Sequence, residues 1–194
     1  MASSSRAKRI QVMGSSGSGK STVGLRLAEV FGVPHVELDA LFWQPNWVES
    51  EPEDFRARVA AATEGDRWVV SGNYTGRLNA LLWPRVDMIV WLDLPQRVTV
   101  SRMLLRSWRR WRTNELLWGT NHERFWPQLA FWDPTSLLGY SLRAHPRMHR
   151  LMTDAMVDPR WAHLRFVRLT SQREVDRFVA SMIAEHAASL EEHT

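Results

Sequence analysis

The stretch GSSGSGKST, residues 14–22, stands between two runs of different character. RIQVM, residues 9–13, is a short apolar run typical of a buried strand. STVGLRLAEVFG, residues 21–32, carries apolar side chains at helical spacing and ends on a glycine that suits a helix stop. A glycine–serine run can be a flexible linker, but a linker is not expected to join a strand directly to a helix. The stretch therefore predicts a strand–loop–helix unit whose loop has a defined structure.

The loop matches the pattern G-x-x-x-x-G-K-[ST] through Gly14, Gly19, Lys20 and Ser21. In this pattern backbone N–H groups point at phosphate oxygens, and the N-terminus of the following helix adds partial positive charge. The lysine reaches the β- and γ-phosphates, and the next hydroxyl ligates Mg²⁺. We therefore expect ATP and Mg²⁺ as cofactors, with Lys20 as a catalytic residue and Ser21 as the metal ligand. The expected nucleotide-binding residues here are Gly14, Ser15, Ser16, Gly17, Ser18, Gly19, Lys20, Ser21 and Thr22.

The composition limits the classes of protein to which the chain can belong. The 194 residues suffice for one α/β domain over 1–194, and the apolar content of 44% argues against disorder. No apolar run reaches the roughly 18 residues of a membrane span, and residues 1–10 lack the apolar core of a secretory signal. The chain has no cysteine, which excludes disulfides and thiolate metal sites. We expect a cytoplasmic protein with no membrane partner, and the formal charge of +4 favours anionic ligands.

Four further β-like runs alternate with helical patterns along the chain. They lie within residues 34–39, 66–74, 86–95 and 163–169. Strands that alternate with helices form a parallel sheet through right-handed crossovers, and ligands bind beyond the carboxyl ends of its strands. We place Asp39 at such an end. The sequence therefore predicts an α/β fold with three layers, in which helices cover both faces of a parallel sheet.

The sequence resembles the nucleoside-monophosphate-kinase-like branch of P-loop NTPases. The resemblance rests on GSSGSGKST, ELDALFW (37–43), GNY (72–74) and LDLPQRVTVSRMLLR (92–106), and it covers about residues 9–180. Within the branch, the chain is most similar to the bacterial DNA topology modulation proteins, which are adenylate-kinase-related. The resemblance implies a five-stranded parallel sheet in order 2-3-1-4-5 with a helical lid. It also implies a substrate-side segment over 39–65 and a lid segment over 107–134.

The resemblance gives Asp39 a role at the phosphate acceptor. It matches an acidic residue that, in small-molecule kinases of this design, holds a substrate hydroxyl or a Mg²⁺-bound water. Alternatively, this carboxylate caps a helix that starts at DALF. The ring of Trp43 either stacks on a nucleobase or packs in a helical cap over the cleft. The GNY turn is expected to line the cleft, and Arg77 lies near the place where adenylate kinases bind the acceptor phosphate. The expected substrate residues are Asp39, Trp43, Asn73, Tyr74 and Arg77.

One position departs from the family pattern. Nucleotide kinases of this kind carry an aspartate where this chain has Ser71, and that carboxylate supports Mg²⁺ through water. A neutral hydroxyl is a weaker partner for a hard cation. Two predictions stay open at this point: Asp39 supplies the missing charge, or phosphoryl transfer is slow.

Six arginines and no acidic residue lie between Leu94 and Asn114. Arg102 and Arg106 match the R-x-x-x-R of the family's lid entry, which implies that both are catalytic and that Arg102 also binds the nucleotide. Alternatively, the arginines form a solvated basic face. The tryptophans of the lid have three possible roles: they cover the phosphates and exclude water, they pack against each other, or they form a dimer contact. The sequence therefore leaves both a monomer and a homodimer open.

The loop after the fifth strand is the place where the family's chain passes the adenine. Thr170, Ser171 and Gln172 are therefore expected to contact the nucleotide. Alternatively, Ser171 caps the last helix and Glu174 completes a capping box.

Two hypotheses for the function follow. In the first, the protein is a kinase that transfers the γ-phosphate of ATP to a small hydroxyl- or phosphate-bearing acceptor, such as a nucleoside or nucleotide. In the second, it is a nucleic-acid-associated P-loop ATPase, or a nucleotide-binding regulator with low turnover, and its arginine face binds DNA. The first is preferred because no recognised DNA-reading motif accompanies the arginines.

Overall fold

A computed structural model describes residues 9–133 and 135–191. Its central sheet has five parallel strands, and their order across the sheet is β2-β3-β1-β4-β5. The predicted fold class is confirmed, and the strand order is the 2-3-1-4-5 that the resemblance implied. The strands are β1 (Arg9–Gly14), β2 (His35–Glu37), β3 (Trp68–Ser71), β4 (Met88–Leu92) and β5 (Arg165–Leu169).

Seven α-helices connect and cover the strands in the described part of the chain. Their bounds are α1 (Lys20–Phe31), α2 (Leu38–Phe42), α3 (Pro52–Ala62), α4 (Thr75–Leu82), α5 (Gln96–Arg112), α6 (Leu137–Val157) and α7 (Gln172–Glu191). Single 3₁₀ turns lie at Pro45–Trp47, Trp126–Leu129 and Pro159–Trp161.

The three central strands, β1, β3 and β4, are buried along almost their whole length. Because successive side chains of a strand point to opposite sides, these strands contribute to a core on each face of the sheet. One face of β1 and β3 presents Met13, Trp68 and Val70 to a cluster that also contains side chains of α2, α3, α4 and α6. The other face presents Val12 and Val69 to side chains of α1 and α7. Helices on both faces complete the three-layer architecture.

A buried polar contact joins α4 to the sheet near the phosphate-binding end. The indole N–H of Trp83 donates to Gln11 Oε1 at 3.1 Å, and Gln11 Nε2 donates to the carbonyl of Gly72 at 3.1 Å. The Gly72 N–H in turn donates to the carbonyl of Val12 at 3.1 Å. These hydrogen bonds satisfy groups that would otherwise be costly to bury, and they hold the turn after β3 against the end of β1.

The predicted lid segment, 107–134, is described up to Asp133; Pro134 lies outside the described residues, as do residues 1–8 of the stretch screened for a signal. The C-terminal turns of α5 lead into a two-stranded hairpin, Leu116–Leu117 with Asn121–His122, which we call the strap hairpin (residues 116–122). A second small ladder pairs Trp43–Gln44 with Val48–Glu49, and we call this segment loop 43–49. Among the described helices, none is both long and apolar enough to cross a membrane.

Candidate functional site

The phosphate loop occupies residues 15–19, between the end of β1 and the first turn of α1. Gly17 and Gly19 adopt left-handed backbone angles, with φ of 82° and 90°. A side chain at Gly17 would also collide with the carbonyl oxygen of Thr99 on α5. Glycine is therefore required at Gly17 for two reasons, and the loop is seated directly against the helix that carries the lid arginines.

The amide of Asn73 bonds to the first residue of the loop. Its Oδ1 accepts from the N–H of Gly14 at 3.0 Å, and its Nδ2 donates to the carbonyl of Gly14 at 2.9 Å. Asn73 is a predicted substrate residue, and in the structure its side chain is engaged by the backbone of the phosphate loop. Asn73 thus fixes where the phosphate loop begins.

Two cationic side chains, those of Lys20 and Arg106, belong to the surroundings of the phosphate loop. Lys20 and Arg106 are both half-buried, and burial lowers the pKa of each because it penalises the charged form. Arg106 Nη2 donates to the hydroxyl of Ser16 at 3.3 Å, while its buried Nε has no hydrogen-bond partner in the described chain. Cations held close together with an unpaired buried donor are suited to an anionic ligand such as a polyphosphate.

The acid nearest the expected metal ligand is Glu37, which the sequence analysis missed. The hydroxyl of Ser21 donates to Glu37 Oε1 at 2.7 Å. Glu37 is the last residue of β2 and pairs with Ser71 in the sheet register. A hydroxyl and a carboxylate are the hard oxygen donors that Mg²⁺ takes, so this pair fits the ion. No group of three acidic or histidine side chains in the described residues could hold a metal unaided, so phosphate oxygens would complete its shell.

The position of Ser71 corrects one expectation. Ser71 is 1% exposed, its hydroxyl donates to the carbonyl of Lys20 at 3.1 Å, and it lies 2.9 Å from His35 Nε2. The hydroxyl is therefore engaged beneath the first turn of α1 rather than directed at Ser21. The carboxylate that faces Ser21 comes from the neighbouring strand, as Glu37, so the serine does not leave the site without an acid.

The sequence predicted that β2 ends at Asp39, and this prediction is wrong. The strand ends at Glu37, and Asp39 lies in the first turn of α2, because Leu38 and Phe42 are buried one helical turn apart. Asp39 Oδ1 accepts from the Tyr74 hydroxyl at 2.8 Å. No side-chain capping hydrogen bond is made at the N-terminus of α2, which disfavours the alternative capping role.

Tyr74 holds this carboxylate from an aromatic setting. Its ring packs against Phe42 and Phe55, with centroids 4.7 and 4.9 Å away. Burial and the nearby Asp39 carboxylate raise the pKa of Tyr74, so the phenol stays protonated and keeps donating. Of the predicted cleft residues, Asp39 and Tyr74 are therefore brought into direct contact.

Trp43 lines an open cleft of about 580 Å³ between the α2–α3 region and the strap hairpin. Its ring meets Phe42 edge to face at 4.9 Å and Trp47 at 5.6 Å. Trp118 of the strap hairpin lines the same cleft. The ring of Trp43 is thus packed on one side and borders open space, which is compatible with either role predicted for it.

Two predicted arginines lie away from the phosphate loop. Arg77 Nη2 pairs with Glu49 at 3.0 Å, and its guanidinium stacks over the ring of Phe42 at 4.9 Å. Arg102 Nη1 donates to Gln172 Oε1 at 2.9 Å. The R-x-x-x-R pair therefore divides: Arg106 faces the phosphate loop, whereas Arg102 joins α5 to the loop after β5.

The loop after β5 forms a helix cap. The N–H and hydroxyl of Thr170 donate to Glu174 Oε2 at 2.7 and 3.0 Å, and the hydroxyl of Ser171 accepts from the Glu174 N–H at 3.3 Å. This geometry is the predicted capping box, which opens α7. Contacts of Thr170, Ser171 and Gln172 with a nucleotide stay a prediction.

No protein-family model matches the chain. It is 27% identical over 119 residues to the uncharacterized protein YqaC of Bacillus subtilis (strain 168), covering 60% of this chain and 66% of that protein. It is 30% identical over 114 residues to a cytidylate kinase of Pyrococcus horikoshii, covering 50% of this chain and 57% of that protein. The matched region thus spans less than two thirds of the length of either relative.

Solved structures match over nearly the whole chain. A gluconokinase from Sinorhizobium meliloti 1021 superposes with a TM-score of 0.51 at 24% identity, covering 96% of this chain and 95% of that one. A shikimate kinase from Acinetobacter baumannii, in complex with shikimate, superposes with a TM-score of 0.52 at 18% identity, covering 95% and 96%. The nucleotide-kinase-like P-loop fold is confirmed. The narrower resemblance to DNA topology modulation proteins stays a prediction.

Proposed function

We propose that this chain transfers the γ-phosphate of ATP to a hydroxyl group of a small acceptor. One observation supports this most directly: cations and carboxylates converge at the phosphate loop. Burial lowers the pKa of Lys20, and Arg106 adds to this shift, whereas the nearby carboxylates of Asp39 and Glu37 oppose it. A site that only stored nucleotide would need the cations, but it would have no use for a second carboxylate beside them.

Each of these residues has a distinct task in the proposed reaction. The loop's N–H groups and Lys20 bind the β- and γ-phosphates, and Arg106 stabilises the charge that spreads over the transferring phosphoryl oxygens. Ser21 and Glu37 would hold Mg²⁺, which would neutralise phosphate charge when bound. The new bond joins the acceptor oxygen to the γ-phosphorus, the bond to the bridging oxygen of ADP breaks, and Asp39 takes the hydroxyl proton.

Asp39 is held ready for this proton transfer. Tyr74 fixes Oδ1, and Oδ2 has no hydrogen bond within the described chain. One carboxylate oxygen is therefore oriented while the other is free to accept from a substrate hydroxyl. A carboxylate held in one orientation is one requirement of a general base, and the hydrogen bond from Tyr74 supplies it.

The acceptor is proposed to carry hydroxyl groups and a flat or apolar face, as a nucleoside or nucleotide does. The aromatic side chains of Trp43 and Trp118 line the cleft nearest to α2. Aromatic rings offer such a molecule stacking surface, and Asp39 offers it a hydroxyl acceptor. The similar proteins described above, a cytidylate kinase, a gluconokinase and a shikimate kinase, are in keeping with phosphoryl transfer as the reaction class.

The alternative, a nucleic-acid-associated ATPase, is less well supported because several arginines of α5 are used internally. Arg106 bonds to the phosphate loop, Arg102 to Gln172, and Arg110 lies 3.3 Å from Glu115. Of these contacts, only the Arg110–Glu115 ion pair offsets the repulsion between like charges along this helix.

The test is a phosphate-acceptor screen scored by ADP formation, run with nucleosides, nucleotides and polyhydroxy acids, each with and without DNA. We expect ADP formation to rise with a small acceptor and not with DNA. Lys20→Ala should abolish the rise, whereas Arg26→Ala, an exposed arginine on the same helix, should not. Stimulation by DNA alone, with no response to any small acceptor, would transfer support to the nucleic-acid hypothesis.

A further inference from the structure

The strap hairpin is bound to loop 43–49 by hydrogen bonds that the proposed reaction does not use. Asn121 is 2% exposed, and its amide bonds to the loop in both directions. Its Oδ1 accepts from the N–H of Trp47 at 2.8 Å, and its Nδ2 donates to the carbonyl of Gln44 at 3.0 Å. The indole N–H of Trp47 donates to the carbonyl of His122 at 2.9 Å. Two segments more than 70 residues apart are thus joined by three hydrogen bonds.

The backbone at this junction is strained on both sides. Trp47 and Trp118 have φ of 61° and 49°, a left-handed conformation that bulky residues seldom adopt. Such residues persist only where their surroundings hold them. Their rings also meet edge to face, with centroids 5.8 Å apart. The junction is therefore an element with a specific closed arrangement, rather than a chance approach of two surface loops.

The closed arrangement reaches the carboxylate beside the phosphate loop. Trp118 Nε1 lies 3.5 Å from Glu37 Oε2, on the same carboxylate that accepts from Ser21. At 3.5 Å this is a long hydrogen bond, and such contacts tighten when a ligand completes a site. The position of the strap hairpin is thereby linked to the residue that would support Mg²⁺.

The open cleft is also shared between the two segments. Trp43 and Gln44 form one wall, and Trp118 and Thr120 of the strap hairpin form another. If the hairpin moves away, the cleft loses that wall. An acceptor that touches both walls would therefore favour the closed arrangement.

We propose that Asn121 is a positioning residue that locks the strap hairpin onto loop 43–49. In the locked state Trp118 holds Glu37 in place for Mg²⁺, and the acceptor cleft is complete. Binding of an acceptor in the cleft thereby favours the state in which Glu37 is positioned to bind the Mg²⁺ of the nucleotide. The inference rests on the proposed function, since it requires that the site binds ATP with Mg²⁺.

The first arm of the test needs no ligand. Arg112 and Arg124 flank the strap hairpin, so trypsin cleavage after them, followed by mass spectrometry, reports how often it opens. Losing the two hydrogen bonds from Asn121 to loop 43–49 should raise the open population, so Asn121→Ala should be cut about tenfold faster at these sites. Trp47→Phe, a milder change that removes one hydrogen bond, should fall between Asn121→Ala and wild type. The matched control is Asn79→Ala on α4, whose side chain makes no hydrogen bond in the described chain and whose cleavage should equal wild type.

The second arm measures how much Mg²⁺ is needed for ATP to raise the melting temperature. Asn121→Ala and Trp118→Phe should each raise the half-maximal Mg²⁺ concentration about threefold or more, while stabilisation by ATP in excess EDTA stays unchanged. Trp118→Phe should do so without faster cleavage, because it leaves the lock intact. A pure folding defect would instead lower stabilisation with and without Mg²⁺.

The outcomes separate the two proposals. If wild type is stabilised by ATP with Mg²⁺ but Asn121→Ala shows wild-type cleavage or a wild-type Mg²⁺ demand, the lock is refuted and the proposed function stands. If wild type shows no stabilisation at all, the proposed function falls, and the coupling falls with it.

Discussion

Asn73 and Gly14 exchange two hydrogen bonds, one in each direction, at 3.0 and 2.9 Å. Gly14 is the last residue of β1 and the point from which the phosphate loop departs. The turn that carries Asn73 is itself fixed to the sheet through Gly72, whose N–H donates to Val12. A side chain expected at the substrate thus sets the position of the nucleotide site, and the loop is preorganised by the neighbouring strand.

This relationship predicts that Asn73→Ala lowers both stability and nucleotide affinity. The substitution leaves a part-buried N–H and carbonyl without their partners, which should cost about 1–3 kcal/mol in the free energy of unfolding. Urea unfolding and ATP titration measure the two effects, with Asn79→Ala as the control. Asn73→Asp should rescue neither, because it places a carboxylate oxygen against the Gly14 carbonyl. Wild-type stability combined with a raised acceptor KM would return Asn73 to the predicted substrate role.

The sequence predicts most of the scaffold because its signals are local. The glycine pattern at 14–22 fixes a strand–loop–helix unit, and the change between strand-like and helix-like periods separates the remaining elements. The resemblance supplies the strand order, which depends on contacts between distant segments. The strap hairpin has no such signal, because its strands are two residues long and Trp118 occupies a conformation that propensity disfavours.

The site was harder to predict because it depends on register. Ser71 and Glu37 are neighbours on adjacent strands, and only their pairing shows that the acid comes from β2. The E-x-D spacing of Glu37 and Asp39 was available in the sequence. Because the predicted strand end lies two residues too late, Asp39 and not Glu37 was considered as the acid beside the metal. Likewise, the spacing of Arg102 and Arg106 puts both on one helix face, but it does not tell which one reaches the loop.

The buried contact between His35 and Ser71 predicts a dependence of stability on pH. Burial lowers the pKa of His35 below 6.5, although the nearby Glu37 opposes this shift. At pH values between the lowered pKa of the folded protein and 6.5, the unfolded chain binds more protons than the folded one. The free energy of unfolding therefore falls as the pH drops below about 6.5. His35→Gln should flatten this part of the profile, measured by urea unfolding between pH 5 and 8. Parallel profiles for the two proteins would show that His35 does not titrate in this way.

Arg106 and Arg102 offer a matched pair on one helix. Arg106→Ala should reduce phosphoryl transfer about a hundredfold, the usual scale for losing a group that stabilises transition-state charge. Arg102→Ala removes an exposed hydrogen bond to Gln172 and should change the rate less than about threefold. Rates are compared at saturating ATP, using the acceptor found by the screen. Equal losses in the two variants would mean that Arg102 also turns toward the phosphates, as the sequence predicted.

Glu37 and Asp39 lie two residues apart, yet they are expected to fail in different ways. Glu37→Gln weakens the oxygen donor beside Ser21, so it should raise the Mg²⁺ concentration needed for turnover and leave the acceptor KM near wild type. Asp39→Asn removes the proposed base while its Oδ1 can still accept from Tyr74, so the local structure should survive. It should spare ATP affinity and the Mg²⁺ demand but reduce transfer to the acceptor about a hundredfold or more.

The comparison is made with wild type and both variants in one Mg²⁺ titration and one acceptor titration, and Tyr74→Phe serves as the intermediate case. Removing only the phenol leaves the Asp39 carboxylate present but unoriented, so Tyr74→Phe should lose less activity than Asp39→Asn and keep the wild-type Mg²⁺ demand. If Asp39→Asn raises the Mg²⁺ demand while Glu37→Gln stops transfer, the two carboxylates have exchanged the roles assigned here. If Asp39→Asn transfers phosphate at the wild-type rate, no base is needed at this position. The phosphate loop and Arg106 would then stabilise the transferring phosphoryl group without a general base. The proposal that the acceptor binds in the cleft beside Trp43 would also lose its support.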